Sequence, residues 1–258
     1  MAVITFLSDF GYADHYVAAV KAKVLSQDPH VQVVDITHAV EPYNIAQAEY
    51  VFGAVYRDFP EGTVHLIAVD TYGCKYGKYH AAKYKGHYFL LPDNGLLSLL
   101  TDGQPDKVVE LKTDKPLMPF PAKDLLAPAA VFLAKGGDLE VLGERTDTIR
   151  HLFNRQLRLG DHAITGHVIH VDRYGNLITD ITRDSIETIA HGRTFTIHFG
   201  RETVGRIFPN YSQVDDGDCC CTYNSQDLLC IGINKGHAAE LLGLGFDSQV
   251  DVRFYPGS

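Results

Sequence analysis

Two segments of this chain run as continuous apolar strands and stop on an aspartate, a pattern that points to an α/β sheet with acids at its strand ends. The first is Ala2–Leu7 (AVITFL), followed by Ser8-Asp9-Phe10-Gly11-Tyr12-Ala13-Asp14. The second, Gly62–Asp70 (GTVHLIAVD), ends the same way. Tyr16–Leu25 (YVAAVKAKVL) has helical apolar spacing, so Asp9 and Asp14 fall in a strand-to-helix turn. In open α/β sheets ligands bind outside the carboxyl ends of the strands. An ionised carboxylate there offers two acceptor oxygens, which suits a pair of ribose hydroxyls. It equally suits a helix cap, and these residues alone leave both readings open.

The alternation continues to about residue 135. Val31–Ile36 reads as a strand and Asn44–Tyr56 as a helix. Lys78–Tyr84 and His87–Leu91 read as two further strands, Pro92-Asp93-Asn94-Gly95 as a turn, and Leu125–Lys135 as a helix stopped by Gly136-Gly137. A mainly parallel, doubly wound sheet is the expectation. The texture changes between 145 and 160. From Gly166 the strands are short and alternating (GHVIHVD, TFTIHFG, CCCTYN, DLLCIGIN, QVDVRFY), with one short helix at His237–Leu242. The fold class expected is therefore an α/β domain over 1–150 followed by a smaller all-β barrel or sandwich over 160–258.

Composition narrows the function. The chain has 258 residues and a net charge of −9, with no basic run, which argues against nucleic acid as a partner. No apolar run approaches the length of a membrane span, and no export signal is visible, so a cytoplasmic protein is expected. Five cysteines, three of them consecutive (Cys219, Cys220, Cys221), do not form a secreted disulfide framework. Neighbouring strand residues face opposite ways, so the triplet reads as small apolar residues and not as a metal site. His170 and Asp172 share a strand face while His167 faces away, too few ligands for a metal. No HExxH, phosphate-binding glycine loop or GxSxG elbow occurs.

Five motifs follow one another in a fixed order: LSDFGYAD at 7–14, VDITH at 34–38, PDNGLLS at 92–98, DRYGN at 172–176, and NS at 224–225 with IGINKGHAAELLGL from 231. Together they resemble the S-adenosylmethionine hydroxide adenosyltransferases (SAM hydrolases), relatives of the fluorinase and chlorinase, and the resemblance covers essentially the whole chain. It implies a homotrimer with sites at subunit interfaces, S-adenosylmethionine as substrate, and no cofactor or metal. Carried over by position, Asp9 would hold the ribose hydroxyls, Asp172 would face the methionine ammonium, Asn176 would read the adenine edge, and Ser225 would help hold the methionine carboxylate. Asp14, Asn94 and Tyr174 complete the implied substrate-binding set. Tyr174 stands where Asp-x-Phe-Gly-Asn is usual and keeps a flat stacking surface.

The implied reaction is attack of water on the 5′ carbon, with methionine leaving as a neutral thioether. The sulfonium supplies the leaving group, so the protein must position the water and accept its proton. Family hydrolases use an Asp, an Arg and a His for this. Asp70 matches the first. The arginine positions of the DPGVGT-x-RR loop fall on Gly77 and Lys78, and the histidine of HGRD falls on Pro121. Two readings follow. Either Lys75, Lys78 or His80 substitutes around Asp70, giving a hydrolase with a rebuilt water site, or the chain is an adenosine- or S-adenosylmethionine-binding protein without turnover. A nucleoside-acting enzyme with another electrophile would fit the same pocket. A halogenase fits poorly, because the strand-end carboxylate repels halide.

Overall fold

Apolar strands with acids at their ends build the sheet of the N-terminal unit. The computed structural model describes residues 3–73, 77–113, 118–153 and 155–255, in two units, Met1–Asn154 and Arg155–Ser258. In chain order the first unit contains β1 (Val3–Ser8), α1 (Tyr16–Gln27), β2 (Gln32–Thr37), α2 (Ile45–Gly53), β3 (Val64–Ala68), β4 (Tyr79–Tyr84), β5 (His87–Pro92), α3 (Leu96–Leu100), β6 (Lys107–Leu111), α4 (Ala127–Ala134) and β7 (Gly143–Arg145). The sheet order is β2-β1-β3-β5-β4-β6-β7. Strands β2, β1, β3 and β5 are parallel, and beyond them the pairings β5–β4, β4–β6 and β6–β7 are all antiparallel. The sheet is thus mixed, less parallel than the alternation suggests. Only Lys85 and Gly86 separate β4 from β5, both at positive φ (46° and 81°), and such a two-residue turn makes a hairpin.

Side-chain alternation assigns the two faces. Ile4 and Phe6 of β1 and Leu66 of β3 pack with Val20 and Val24 of α1 and Ala127 and Ala130 of α4. Leu7 and Ile67 face the other way, onto Phe52 of α2 and Leu96 of α3. Helices therefore cover both faces, and each fully buried large side chain contributes about 1.5–3 kcal/mol. The second face also holds a polar chain: Thr5 Oγ1 lies 2.6 Å from His65 Nδ1, and His65 Nε2 lies 3.2 Å from His87 Nδ1. Phe52, Tyr56 and Phe89 surround His65, and burial holds its pKa at about 3 against the usual 6.5.

This burial sets a pH dependence of stability. Between pH 6.5 and about 3 the unfolded chain protonates His65 and the folded chain does not. Stability contributed by the neutral ring is therefore present above pH 6.5 and is lost progressively as pH falls toward 3. Urea unfolding over this range is expected to show a falling midpoint in the wild type and a shallower fall in His65→Gln. Parallel slopes would contradict it.

The second unit contains β8 (Arg158–Leu159), β9 (Ala163–Val171), β10 (Leu177–Thr182), α5 (Arg183–Ala190), β11 (Thr194–Phe199), β12 (Glu202–Val204), β13 (Cys219–Tyr223), β14 (Leu228–Ile233), α6 (Ala238–Leu242) and β15 (Gln249–Tyr255). Its antiparallel order is β12-β11-β15-β9-β10-β14-β13, with β8 beside β9. The expected strands are present, and α5 is an additional helix. Thr182 Oγ1 starts it by accepting the Ser185 amide, and Ile186 is its buried anchor. Cys220 and Cys221 are buried, Cys221 within the core, and burial pushes its thiol well up. Among the described residues no helix is long and apolar enough to cross a membrane.

Candidate functional site

The motif segments of the first unit gather around the carboxyl ends of its parallel strands. Asp9 follows β1, and its Oδ2 accepts the backbone N–H groups of Tyr43 and Asp70, each at 3.0 Å. Both of those residues are held at left-handed φ, 68° for Tyr43 and 47° for Asp70. Such conformations cost about 1–3 kcal/mol each and persist only where the surroundings enforce them. A hydrogen bond to a charged acceptor is worth about 1.5–3 kcal/mol, enough to offset that strain at each residue. Asp9 therefore fixes two loops as well as offering an acceptor. The helix-cap reading does not hold for either acid: the residue preceding α1 is His15, and no side chain caps it. Asp14 is exposed and outside the cavity described below.

Behind Asp9, VDITH joins LSDFG. Ser8 Oγ lies 2.7 Å from His38 Nδ1, His38 Nε2 lies 3.2 Å from Asp35 Oδ1, and Lys21 Nζ completes the row at Asp35. The order resembles an acyl-transfer triad, but Ser8 and His38 are fully buried, so the hydroxyl cannot meet a substrate. Burial holds the His38 pKa below its usual value. With Gly11 N–H donating to the His38 carbonyl, the row buttresses the loop that carries Asp9. Asn94 has a comparable role: Nδ2 donates to the Val69 carbonyl and Oδ1 accepts the Leu96 amide, so its amide is spent on the backbone beside Asp70.

In front of Asp9 lies a cavity of about 350 Å³ lined by Phe10, Tyr16, Tyr43, Tyr72, Phe120 and Pro121 among others. Phe10, Tyr16 and Phe120 form an aromatic cluster with ring centroids 5.6–5.8 Å apart. Tyr72 donates its hydroxyl to the Pro119 carbonyl across the cavity wall. Flat apolar walls with one carboxylate suit a nucleoside: rings pack on the aromatics and hydroxyls donate to the acid. Sequence reasoning did not single out these aromatics, because they come from separated segments.

Asp70 is half-buried and does not itself line the cavity; it adjoins two residues that do, Asp9 through its amide and Thr71 next to it in the chain. Its carboxyl pKa is raised, first by burial and then by the Asp9 charge, against the opposing pull of Arg150 and the Gly73 amide. Its side chain lies directly on Gly73, where a Cβ would meet Oδ2 at 1.7 Å. Gly73→Ala is accordingly expected to displace the carboxylate and lower turnover by about 10²-fold with the fold retained. Circular dichroism beside an activity assay checks this, and an unchanged rate would contradict it.

The remaining candidates are placed differently. Lys75 lies outside the described residues. Lys78 does not line the cavity, and its Nζ is 2.6 Å from Glu110 Oε2. His80 is buried with Nδ1 3.7 Å from Asp93 Oδ1, and burial lowers its pKa. Pro121 lines the cavity with no group that takes a proton. Arg150 is a cation that sequence reasoning passed over. Its backbone amide donates to Asp93 Oδ1 at 2.7 Å and its Nη1 donates to the Gly73 carbonyl at 3.1 Å.

In the second unit, DRYGN folds on its own aspartate. Asp172 Oδ1 accepts the Tyr174 and Asn176 amides and Oδ2 accepts Asn176 Nδ2, all at 2.9 Å. A cavity of about 590 Å³ opens beside it, lined by Tyr174, Asn176, Tyr211, Asn234, Lys235 and His237 among others. A Cβ at Gly232 would meet Asn176 Oδ1 and the Tyr211 ring at 2.5 Å, so the glycine makes room for both. Tyr174 is 78% exposed and presents its ring to solvent. Ser225 is not part of this cavity. It is exposed in the turn before β14, whereas Asn176 packs on Gly232 near the far end of that strand. Among the described residues no three His, Cys, Asp or Glu side chains are grouped to hold a metal.

Comparison with known proteins covers both units. Residues 4–143 match the SAM hydroxide adenosyltransferase N-terminal domain, and residues 166–251 match the corresponding C-terminal domain. A protein of Thermus thermophilus named (R)-S-adenosyl-L-methionine hydrolase is 33% identical, covering 95% of this chain and 96% of its own. A fluorinase of Nocardia brasiliensis is 28% identical over 74% of each chain. The crystal structure of an uncharacterized conserved protein from Thermotoga maritima superimposes with a TM-score of 0.88 at 29% identity, covering 97% of this chain and 99% of that one. With both domains matched in order along the chain, it belongs to the SAM hydroxide adenosyltransferase family.

Proposed function

We propose that this protein hydrolyses S-adenosylmethionine to adenosine and L-methionine, with Asp70 taking the proton of the attacking water. The observation that carries the reading is the Asp70 carboxyl, held at left-handed φ beside the Asp9 cavity with a pKa raised by burial and a neighbouring charge. A carboxylate made more basic is a better proton acceptor at neutral pH. Similarity to relatives named hydrolases supports the same reading.

In this mechanism the ribose hydroxyls donate to Asp9 and the ring system packs on the aromatic walls. Water oxygen bonds to the 5′ carbon, the carbon–sulfur bond breaks, and its electron pair stays on sulfur. Methionine leaves neutral at sulfur, so no acid is needed there, and the water proton passes to Asp70. The chemistry requires no cofactor or metal. Running the reaction in ¹⁸O-water tests it. One heavy oxygen is expected in the adenosine 5′-hydroxyl and none in methionine, and unlabelled adenosine would remove the proposal.

A second reading has its own support: among the described residues that line the cavity none carries an imidazole or an ammonium, Pro121 stands at the histidine position, and Lys78 is engaged by Glu110. A binding protein of this shape would retain S-adenosylmethionine intact, and product analysis separates the two. A homotrimer belongs to the leading proposal. Light scattering should give three times the chain mass, and a monomer would count against it.

A further inference from the structure

Asp70 presents an electrostatic problem that the strand-end acids create for themselves. Two carboxylates adjoin: Asp9 Oδ2 accepts the Asp70 amide, and the Asp9 charge faces the Asp70 side chain. Like charges this close favour protonating one of them, and a protonated Asp70 accepts nothing from water. The opposing cation comes from another segment, Arg150, 77 residues beyond Gly73. Arg150 is anchored twice, through its amide on Asp93 Oδ1 and through Nη1 on the Gly73 carbonyl. Gly73 is the residue on which the Asp70 carboxylate rests, so the guanidinium is one peptide away from it. The Gly73 amide closes the turn on the Asp70 carbonyl at 2.9 Å.

We infer that Arg150 is a positioning residue for the reaction: it clips the 70–73 turn through the Gly73 carbonyl and sets its positive charge against the Asp70 carboxylate. This rests on the reading of Asp70 as proton acceptor. The charged groups around the pair are Asp9, on the loop after β1, and Asp93, which holds Arg150 and has His80 at 3.7 Å. Lys78, just before β4, is neutralised by Glu110. Arg150 thus supplies the positive charge that acts on Asp70 among the described residues. With the backbone anchored on Asp93 and the guanidinium on the Gly73 carbonyl, the charge is kept in place, which a lysine on a flexible stem does less well.

The test uses full-length protein labelled at the aspartate side-chain carbonyl carbon, with the Asp70 signal assigned by its absence in Asp70→Asn. Carboxyl titrations are followed by NMR in the wild type, Arg150→Gln and Arg150→Lys, with the pH profile of kcat/KM beside them. Arg150→Gln keeps an N–H donor without the charge. Its Asp70 midpoint is expected to rise, and its kcat/KM to fall about fivefold on the acid limb and recover at alkaline pH, the size expected for an exposed, screened charge. Arg150→Lys should lie between Gln and the wild type. A folded Arg150→Gln protein with the wild-type midpoint overturns the inference. If the wild type makes no adenosine yet the midpoint moves, the hydrolase reading fails and the coupling of Arg150 to Asp70 stands.

Discussion

Replacing Asp70 by asparagine is expected to lower adenosine formation by about 10²–10⁴-fold while leaving adenosine affinity within a few-fold. Asparagine matches aspartate in shape and tolerates the left-handed backbone that residue 70 adopts, so the turn to Gly73 should survive. The substitution removes proton-accepting capacity alone. The raised pKa of Asp70 matters here, because a carboxyl at its ordinary value is a weak base at neutral pH. Product chromatography gives the rate and calorimetry gives the affinity. An Asp70→Asn protein that turns over at the wild-type rate would place the proton acceptor elsewhere.

Asp9→Ala is expected to weaken adenosine binding by at least about 100-fold, the scale of losing two charge-assisted hydrogen bonds. The loss has two sources. The cavity loses its acceptor for ribose hydroxyls, and the amides of Tyr43 and Asp70 lose the carboxylate that holds both residues at positive φ. Released, those loops relax, and the Asp70 side chain moves with its backbone. Turnover should therefore fall together with affinity, unlike in Asp70→Asn. Asp9→Asn, which keeps one acceptor oxygen, should lie between. Hydrogen exchange at the Tyr43 and Asp70 amides reads the loop directly, and unchanged protection in Asp9→Ala would contradict the clamp.

Local sequence carried a good deal of this. The acid-ended strands β1 and β3, helix α1 and five of the seven strands from β9 onward are visible because burial imposes a simple period on each. The mixed sheet was harder, although the Lys85-Gly86 turn between two strand-like runs is a hairpin signal in plain sight. Helix α5 is short and has one buried residue, so its periodicity is faint beside its strong cap at Thr182. At the site, the ordered motifs pointed to Asp9 and the strand-end match to Asp70, and the same motifs gave Asn94 a ligand role, whereas its amide serves the backbone next to Asp70.

Arg150 shows the limit of reading by position. Counting along the 70–78 loop finds Gly77 and Lys78 where a cation is wanted, while the chain brings one in from residue 150 through a contact that only tertiary folding creates. Spacing cannot reveal a contact across 77 residues. For the same reason the triad-like row Ser8–His38–Asp35 could not be recognised as a buttress before its burial was known.

A site built from Asp9, Asp70 and Arg150 is expected to turn over S-adenosylmethionine without the histidine and loop arginines of the family pattern. Near-stoichiometric protein incubated with S-adenosylmethionine for hours, resolved by chromatography and mass, tests it directly beside Asp70→Asn and a protein-free blank. Equal amounts of adenosine and methionine, formed only by the unmodified protein, are the predicted result. Intact S-adenosylmethionine that stays with the protein through a desalting column would contradict it and make the chain a binding protein.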